Sequence, residues 1–561
     1  MRGCIAQARH GGDRGRRSAR TRRGIHERAV GRRRSEEPGC RPRTTGTTHA
    51  LLPHADGPEG HGRHSRPGRG RHVGSTVTHG GEEQPRPALS LFDATSLVVG
   101  AVVGADIYVA AALGAGMLGP AMLVAWVLAG IIAALISLSF AQCAAIIPRT
   151  GGAYAYTREA FGHFPGFLAG WVLYLAELVS IAIFPVAFAR YLTFFLPGLS
   201  GWQMTVAKAG FVAFLVFTNY IGTRAAGRVN DALTLGKLAP LLLLVLVGLA
   251  AVIARPETVP ANLEPFAPLG WRGLGGGIIL AFWAYAGFEL AVLPAAEVVD
   301  APRTLPTAMV LGMGIATAFY LLVNAIVIAT VAWPVLARSV APLATALQVT
   351  LASLGVAQAW FGGAIMSLGA ILSISGADES AMLGTSRLSY AMAADGYLPR
   401  RFARLHPRYR TPYWGIIIQG VFALVASIFG GLRGLIRLSV LFLSLAYLAT
   451  VLSAIRLTRR APERRLRFAG SRLTLLAALG GVFYLLSQTD WVGLAAAAGL
   501  LVLGVVVYLY FAPRRELVEA NRRIFSSEHR LAVIRHALQV APANALRAVR
   551  RLFGGQGGSP S

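Results

Sequence analysis

The sequence predicts an all-α integral membrane protein of twelve transmembrane helices, two of them broken at mid-membrane. Three observations predict it. The 561-residue chain is 54% hydrophobic and only 14% charged, with a mean hydropathy of +0.53, whereas a soluble domain is about 25% charged. Its apolar residues gather into twelve runs, most of them near the roughly 20 residues that a helix needs to cross a bilayer. The first and sixth of these runs carry glycine and an acid near their centres. A soluble globular protein is excluded by the same composition.

Strong positive charge accompanies this hydrophobicity, and the two occupy different parts of the chain. The net charge of +28 comes from 54 basic and 26 acidic residues. Residues 1–88 hold 19 Arg, no Lys, 8 acids, 8 of the 12 His and no Phe, Trp or Tyr. Such a stretch buries too little apolar surface to offset its ordering entropy and reads as a disordered basic tail. Only two Lys against 52 Arg points to a GC-rich coding bias, and a start codon assigned too far upstream would account for the tail. Nucleic acid is not an expected partner, because charge alone is non-specific. Residues 512–561 carry 9 Arg and 3 acids, with apolar residues at helical spacing in HRLAVIRHALQVAPANALRAVRRLF. They read as a cytoplasmic amphipathic helix lying on membrane lipid. Cys4, Cys40 and Cys143 show no paired spacing, so no disulfide framework, metal site or cofactor is expected. The N-terminal MRGCIAQARHGGDRGRR lacks the apolar core of a secretory signal, which leaves the first span to direct insertion.

The membrane region is 89–511. Its spans read, in order, 91–112, 120–147, 166–196, 206–222, 233–253, 275–293, 307–331, 357–380, 413–429, 434–455, 473–487 and 492–511. They divide into a first half over 89–253, a second over 275–455 and two extra helices over 473–511. With the N-terminus inside, 18 arginines face the cytoplasm, among them Arg149, Arg158 and Arg303. Seven basic residues fall outside: Arg190, Lys208, Arg255, Arg272, Arg338, Arg433 and Arg437. That asymmetry puts both termini in the cytoplasm by the positive-inside rule, as expected of a multi-pass protein of the bacterial cytoplasmic membrane. Thin loops leave no room for a soluble catalytic domain, so the chemistry must lie between helices.

Span 1 reads SLVVGAVVGADIYVAAALGAG, with Gly100 and Gly104 ahead of Asp106. Close helix packing is one explanation of a glycine pair four apart. Span 6, however, carries Gly287 beside Glu289 and before Pro294, and spans 1 and 6 are corresponding members of two five-helix halves. Paired interruptions of this kind point to a transporter built from inverted repeats. A break strands backbone N–H and C=O groups that hydrocarbon cannot satisfy. The half-helix N-terminus then attracts an anion, and the freed carbonyls attract an ammonium group or a cation.

Three stretches resemble the amino acid-polyamine-organocation superfamily of permeases: PRTGGAYAYTREAFG (148–162), FWAYAGFELAVLPAAEVVDAPRTLP (282–306) and TSRLSYAMAADGYLPRRFARLHPRYRTP (385–412). The resemblance implies an alternating-access carrier of five-plus-five inverted repeats with broken helices 1 and 6 and two further helices. By position it implies substrate contacts at Gly104, Ala105, Asp106 and Ile107 in span 1, and at Trp283, Ala284, Tyr285 and Gly287 in span 6. Trp283 would be an aromatic lid and Glu289 a gate acid needing a polar partner or a proton. Lys237, a turn or so into span 5, stands where family members that work without sodium place a lysine; its ammonium can lose a proton on burial, as arginine cannot. Snorkelling to the cytoplasmic face is its alternative explanation.

The sequence departs from the family at Asp106, where a small residue is usual. Asp378 and Glu379 in span 8 and Glu177 in span 3 add further acids. Residues 378 and 379 are about 100° apart around a helix, so they cannot point the same way. Lys237, Asp106, Asp378 and Glu379 are the candidates for proton coupling. Two cargoes follow: an ordinary amino acid, whose ammonium or coupled proton Asp106 binds, or a cationic amino acid or polyamine held by several carboxylates. An enzyme is not expected, since no HExxH, GxSxG, Walker loop or Cys/His ligand spacing occurs. A cation channel and a nutrient sensor are the readings from other classes.

Overall fold

The computed structural model describes residues 89–104, 106–148, 151–222, 226–292, 298–466 and 470–513, and at 112, 113, 226–237 and 291 the backbone alone. The helices run α1 (Leu91–Val102), α2 (Asp106–Leu118), α3 (Met122–Ile146), α4 (Gly152–Phe161), α5 (His163–Ile181), α6 (Ile183–Leu192), α7 (Gly201–Ile221), α8 (Ala226–Ala254), α9 (Thr258–Leu263) and α10 (Leu274–Tyr285). They continue with α11 (Phe288–Ala291), α12 (Ala301–Thr330), α13 (Trp333–Arg338), α14 (Pro342–Ser353), α15 (Trp360–Ala394), α16 (Tyr413–Phe429), α17 (Leu432–Arg460), α18 (Arg472–Ser487) and α19 (Trp491–Phe511). Among the described residues the only β pairing is an isolated bridge between Leu89 and Val298. These elements belong to one unit, Gly81–Ser561. The tails read at 1–88 and 512–561 lie outside the described residues except for Ala512 and Pro513.

Local chemistry starts and stops these helices. Ser90 and Asp93 form a reciprocal capping box at the head of α1, with Ser90 N–H donating to Asp93 Oδ2 at 2.9 Å; each such cap satisfies otherwise orphaned N–H groups. Ser200 and Gln203 do the same for α7, while Ser471 and Asp490 cap α18 and α19. Pro302 opens α12 at a position where its missing N–H costs nothing.

Eight stretches among the described residues are long and apolar enough to cross a membrane: Leu91–Ala111, Gly114–Ile146, His163–Leu192, Gly201–Ile221, Ala301–Thr330, Trp360–Ala394, Leu432–Arg460 and Trp491–Phe511. Four shorter apolar helices accompany them: Leu238–Ala254, Leu274–Leu290, Tyr413–Phe429 and Arg472–Ser487. The core is helix on helix. α3 packs on α12, α10 and α17, while α17 also lies along α5, and α15 touches α5, α6, α8, α14 and α16. Phe214, Phe217, Leu246, Leu476 and Val502 remain exposed on outward faces, as expected where lipid is the solvent.

Helix ends depart from the apolar runs at three places. The run at 166–196 bends at Ala182 into α5 and α6. Helix α15 continues to Ala394 rather than stopping at 380, because Thr385, Ser386 and Ser389 stay helical and buried even though hydropathy falls. Helix α8 begins at Ala226, not 233, so Lys237 sits eleven residues inside it instead of one turn.

Candidate functional site

Helix α1 ends where Val103, at φ −76° and ψ 85°, leaves helical geometry after its N–H reaches Val99 O at 2.7 Å. Gly104 follows as a bend, and α2 begins at Asp106. Helix α10 ends likewise. Ala286 is extended (φ −62°, ψ 159°) and Gly287 adopts φ +113° before the short α11. That conformation is open to glycine and strained for L side chains. The two breaks touch: a methyl group on Gly287 would lie 2.5 Å from the Ala101 carbonyl oxygen. Only a residue without Cβ permits this approach.

The stranded carbonyls find a donor on a third helix. Tyr320 of α12 places its hydroxyl 2.6 Å from Val102 O and 3.0 Å from Ala284 O. Its single proton is shared between one carbonyl at each break, the shorter contact being to Val102 O. Around it Trp126, Tyr285 and Tyr320 form a ring triangle with centroids 5.2–5.8 Å apart, and Tyr285 donates to Trp126 O at 3.2 Å.

Of the residues singled out from the sequence, Gly104, Asp106, Ile107, Trp283, Ala284, Tyr285, Gly287 and Glu289 all lie at or beside the two breaks, and Ala105 lies outside the described residues. Ile107, Trp283, Ala284 and Tyr285 are at most 1% exposed. Trp283 donates from its indole to Ser180 Oγ at 3.3 Å and packs near the Phe184 ring. Glu289 is buried but well supplied: its Oε2 accepts from the Tyr447 hydroxyl at 2.8 Å and from Gly287 N–H at 3.0 Å. Asp106 and Glu177 are also buried, and Glu177 lies within coulombic reach of both Glu289 and Asp106. Three carboxyl groups therefore share one water-poor region.

The adjacent acids of α15 part company. Ala377 faces Gly104, its Cβ 3.9 Å from where a methyl on that glycine would sit. Asp378 is 1% exposed, and among the described residues neither of its carboxyl oxygens has a hydrogen-bond partner. Glu379 is half-buried on the side of α15 that faces Thr218 of α7, whose hydroxyl donates to Leu215 O at 3.0 Å. The two acids thus lie on different faces of α15. The side chain of Lys237 lies outside the described residues.

Sequence reasoning missed Tyr320, Ser180 and Tyr447. A signal for the two tyrosines existed: a hydroxyl at mid-span in an apolar helix must bond something.

The stretches at 148–162 and 385–412 meet away from the breaks. Arg158 of α4 reaches Asp395, just beyond α15, at 2.7 Å, and the Tyr154 hydroxyl donates to the same Oδ2. His163 Nδ1 lies 3.0 Å from Tyr397 Oη. Burial and then the Asp395 carboxylate push the Tyr154 phenol well above its ordinary value. For Arg158, burial opposes the charge, but Asp395 and the neighbouring tyrosines outweigh it and raise the guanidinium above its usual value. Both side chains stay proton donors at physiological pH.

Comparison with known proteins places the sequence in a family. The amino acid permease family matches residues 89–526. The chain is similar to the branched-chain amino acid permease of Bacillus subtilis, at 26% identity over 77% of this chain and 94% of the relative. An uncharacterised transporter of Mycobacterium tuberculosis is 31% identical over 76% of this chain and 91% of its own length. Cationic amino acid transporter 4 of mouse is 29% identical over 68% of this chain and 61% of its own length. The chain belongs to the amino acid permease family and is a membrane transporter, not an enzyme.

Proposed function

We propose that the protein is a secondary active transporter that moves an amino acid or related amine across the bacterial cytoplasmic membrane by alternating access, with a proton as coupling ion. In this reading the eight long and four shorter apolar helices make twelve spans, two inverted five-helix halves with two further helices, and both termini are cytoplasmic. The observation that carries it is the contact between the two breaks, where Gly287 lies against Ala101 and Tyr320 bonds a carbonyl of each. Backbone exposed in hydrocarbon costs several kcal/mol per unsatisfied group, so a double break held by one hydroxyl is retained for binding. The substrate's polar ends would then meet backbone dipoles around Gly104, Ala105, Asp106, Ile107, Ala284, Tyr285 and Gly287, with Trp283 as lid and Glu289 as gate.

Proton coupling is supported by Asp378, a buried carboxyl group without a partner among the described residues, and by Asp106, Glu177 and Glu289 gathered in one low-dielectric region. Like charges so placed cannot all ionise. Lys237 on α8 is the candidate countercharge. Glu379 belongs to this set only through its neighbour. A second reading, transport of a cationic amino acid or a polyamine, is favoured by the same acids.

Uptake by proteoliposomes containing the purified full chain tests both parts. Saturable, counterflow-competent uptake of an amino acid, abolished by collapsing the proton gradient, is the expected result. Accumulation that survives that collapse but requires sodium overturns the coupling, and the absence of counterflow with every amino acid overturns the carrier.

A further inference from the structure

Two helices, α6 and α17, bring arginines to the end of the bundle where α2 finishes and α10 begins. The Arg433 guanidinium lies 3.7 Å from where a methyl on Gly116 of α2 would sit, and that of Arg437 3.8 Å from the equivalent point on Gly276 of α10. Arg433 and Arg437 are four apart on α17 and so share a face. Arg190 of α6 is half-buried and lies within the repulsive reach of Arg433. Its neighbour Tyr191 ties α6 to α2 by donating to Tyr108 O at 2.7 Å.

Among the described residues no acid pairs with this group. Among the described residues the ion pairs are Arg158–Asp395 and Arg303–Asp300, both elsewhere. The acids of the same end, Glu257, Glu264 and Asp490, are exposed and form no ion pair, and Asp490 is occupied as the cap of α19. Lys208, also within reach of Arg190, is engaged by Ser427 O at 2.6 Å. Arg433 and Arg437 further sit in the first two turns of α17, whose first turn holds no acid. Cations there oppose the helix dipole. Arg433 and Arg437 are exposed to solvent, but the half-buried Arg190 beside Arg433 has no acid partner among the described residues, an arrangement that stability does not explain.

We propose that Arg190, Arg433 and Arg437 form a cationic collar at the outer mouth of the transport pathway, and that it recognises a carboxylate on the solute. The proposal rests on the carrier reading above and names its substrate class. Gly116 and Gly276 stand nine or ten residues from the breaks, about 15 Å along α2 and α10 at 1.5 Å per residue. A solute passing from the collar to the breaks thus moves from guanidinium groups to a region of carboxyl groups. A molecule with both a carboxylate and an ammonium is attracted at each stage, because guanidinium forks match carboxylates and the deeper acids match the ammonium. A polyamine, with ammonium groups alone, is repelled at the entrance. The collar therefore sets amino acids, neutral or cationic, above polyamines.

The test uses the full chain in proteoliposomes with leucine, arginine, serine and putrescine as labelled probes, comparing wild type with Arg190→Gln and with the Arg433→Gln/Arg437→Gln double variant. Loss of the collar is expected to raise KM for every transported amino acid about fivefold to tenfold at low salt, with little change in kcat and with a weaker dependence on ionic strength, as for other steered associations. Arg433→Lys/Arg437→Lys should keep most of the effect, which guards against a variant that simply folds badly. Unchanged KM and salt dependence overturn the collar while leaving the carrier intact, and so does accumulation of putrescine in preference to all three amino acids. If no probe is accumulated, thermal shift of the purified protein with the same probes decides the collar, and no stabilisation by any carboxylate-bearing probe overturns it.

Discussion

The Tyr320 hydroxyl lies 2.6 Å from the carbonyl oxygen of Val102, the last residue of α1. It lies 3.0 Å from that of Ala284, one residue before the end of α10. One side chain on α12 thereby supplies hydrogen bonding that the helical ladder no longer gives at two separate breaks. Tyr320→Phe keeps the ring packing against Trp126 and Tyr285 but removes the donor. A loss of about 1–3 kcal/mol is expected from leaving buried carbonyls unsatisfied, read as a lower melting temperature in detergent, with uptake reduced at least tenfold. A wild-type melting temperature and uptake in this variant would remove Tyr320 from the site.

Gly287→Ala adds a methyl group 2.5 Å from Ala101 O at a φ of +113°. The contact is with backbone, which cannot rotate away. We expect poor expression or loss of uptake. Gly434→Ala on α17, where nothing lies within 4 Å, is the control and should be neutral or stabilising by up to about 1 kcal/mol. Equal behaviour of the two variants would show that the break tolerates a side chain.

Glu289→Gln retains an acceptor for both Tyr447 and Gly287 N–H while removing the capacity to ionise. Folding should be preserved to within a few degrees in melting temperature. If Glu289 carries a proton during transport, the pH profile of uptake flattens; a profile identical to wild type would restrict this acid to a hydrogen-bonding role.

Asp378→Asn removes the charge of a side chain with no hydrogen-bond partner among the described residues. Stability should be unchanged or slightly higher, because an ionised carboxylate in that position is costly. Accumulation driven by a proton gradient should fall, while counterflow at equal pH persists. Loss of both together would mark Asp378 as structural or as a substrate contact.

Asp395→Asn weakens the link from α15 to Arg158 and Tyr154. Faster hydrogen exchange across α4 is the expected outcome, modest because partly exposed ion pairs contribute at most about 1 kcal/mol. Since Tyr154 and Arg158 are both raised above their ordinary values, exchange at α4 in the wild type, corrected for its intrinsic pH dependence, should show no transition from about pH 6 to 9. A transition there would assign the link to another titrating group.

Glycine and acid near the middle of two apolar runs mark the interruptions at Gly104–Asp106 and Gly287–Glu289, because hydrocarbon makes such residues too costly to be incidental. Ile107, Trp283, Ala284 and Tyr285, by contrast, are legible only through the family resemblance. Periodicity could not reveal what fills the vacancy. Tyr320 lies in an unremarkable apolar helix, and its importance arises from a partner more than two hundred residues away. Hydropathy also misplaced the ends of α8 and α15, since a helix that passes beyond the apolar layer continues on capping and packing alone. That is why Lys237 read as terminal when it lies well inside α8. Likewise Asp378 and Glu379 were inseparable by composition, and only the rotation of α15 gives one to the interior and the other to Thr218.

Where Gly287 meets Ala101 the main chain of α1 and that of the break between α10 and α11 leave no gap for so much as a methyl group. Surfaces in that degree of contact do not slide past one another; they swing as a single piece or separate completely. Any inward–outward cycle of this permease must accordingly keep the crossing point fixed and place its bending in the flanking segments, so that conformational probes attached near residues 101 and 287 should report the smallest displacements in the molecule.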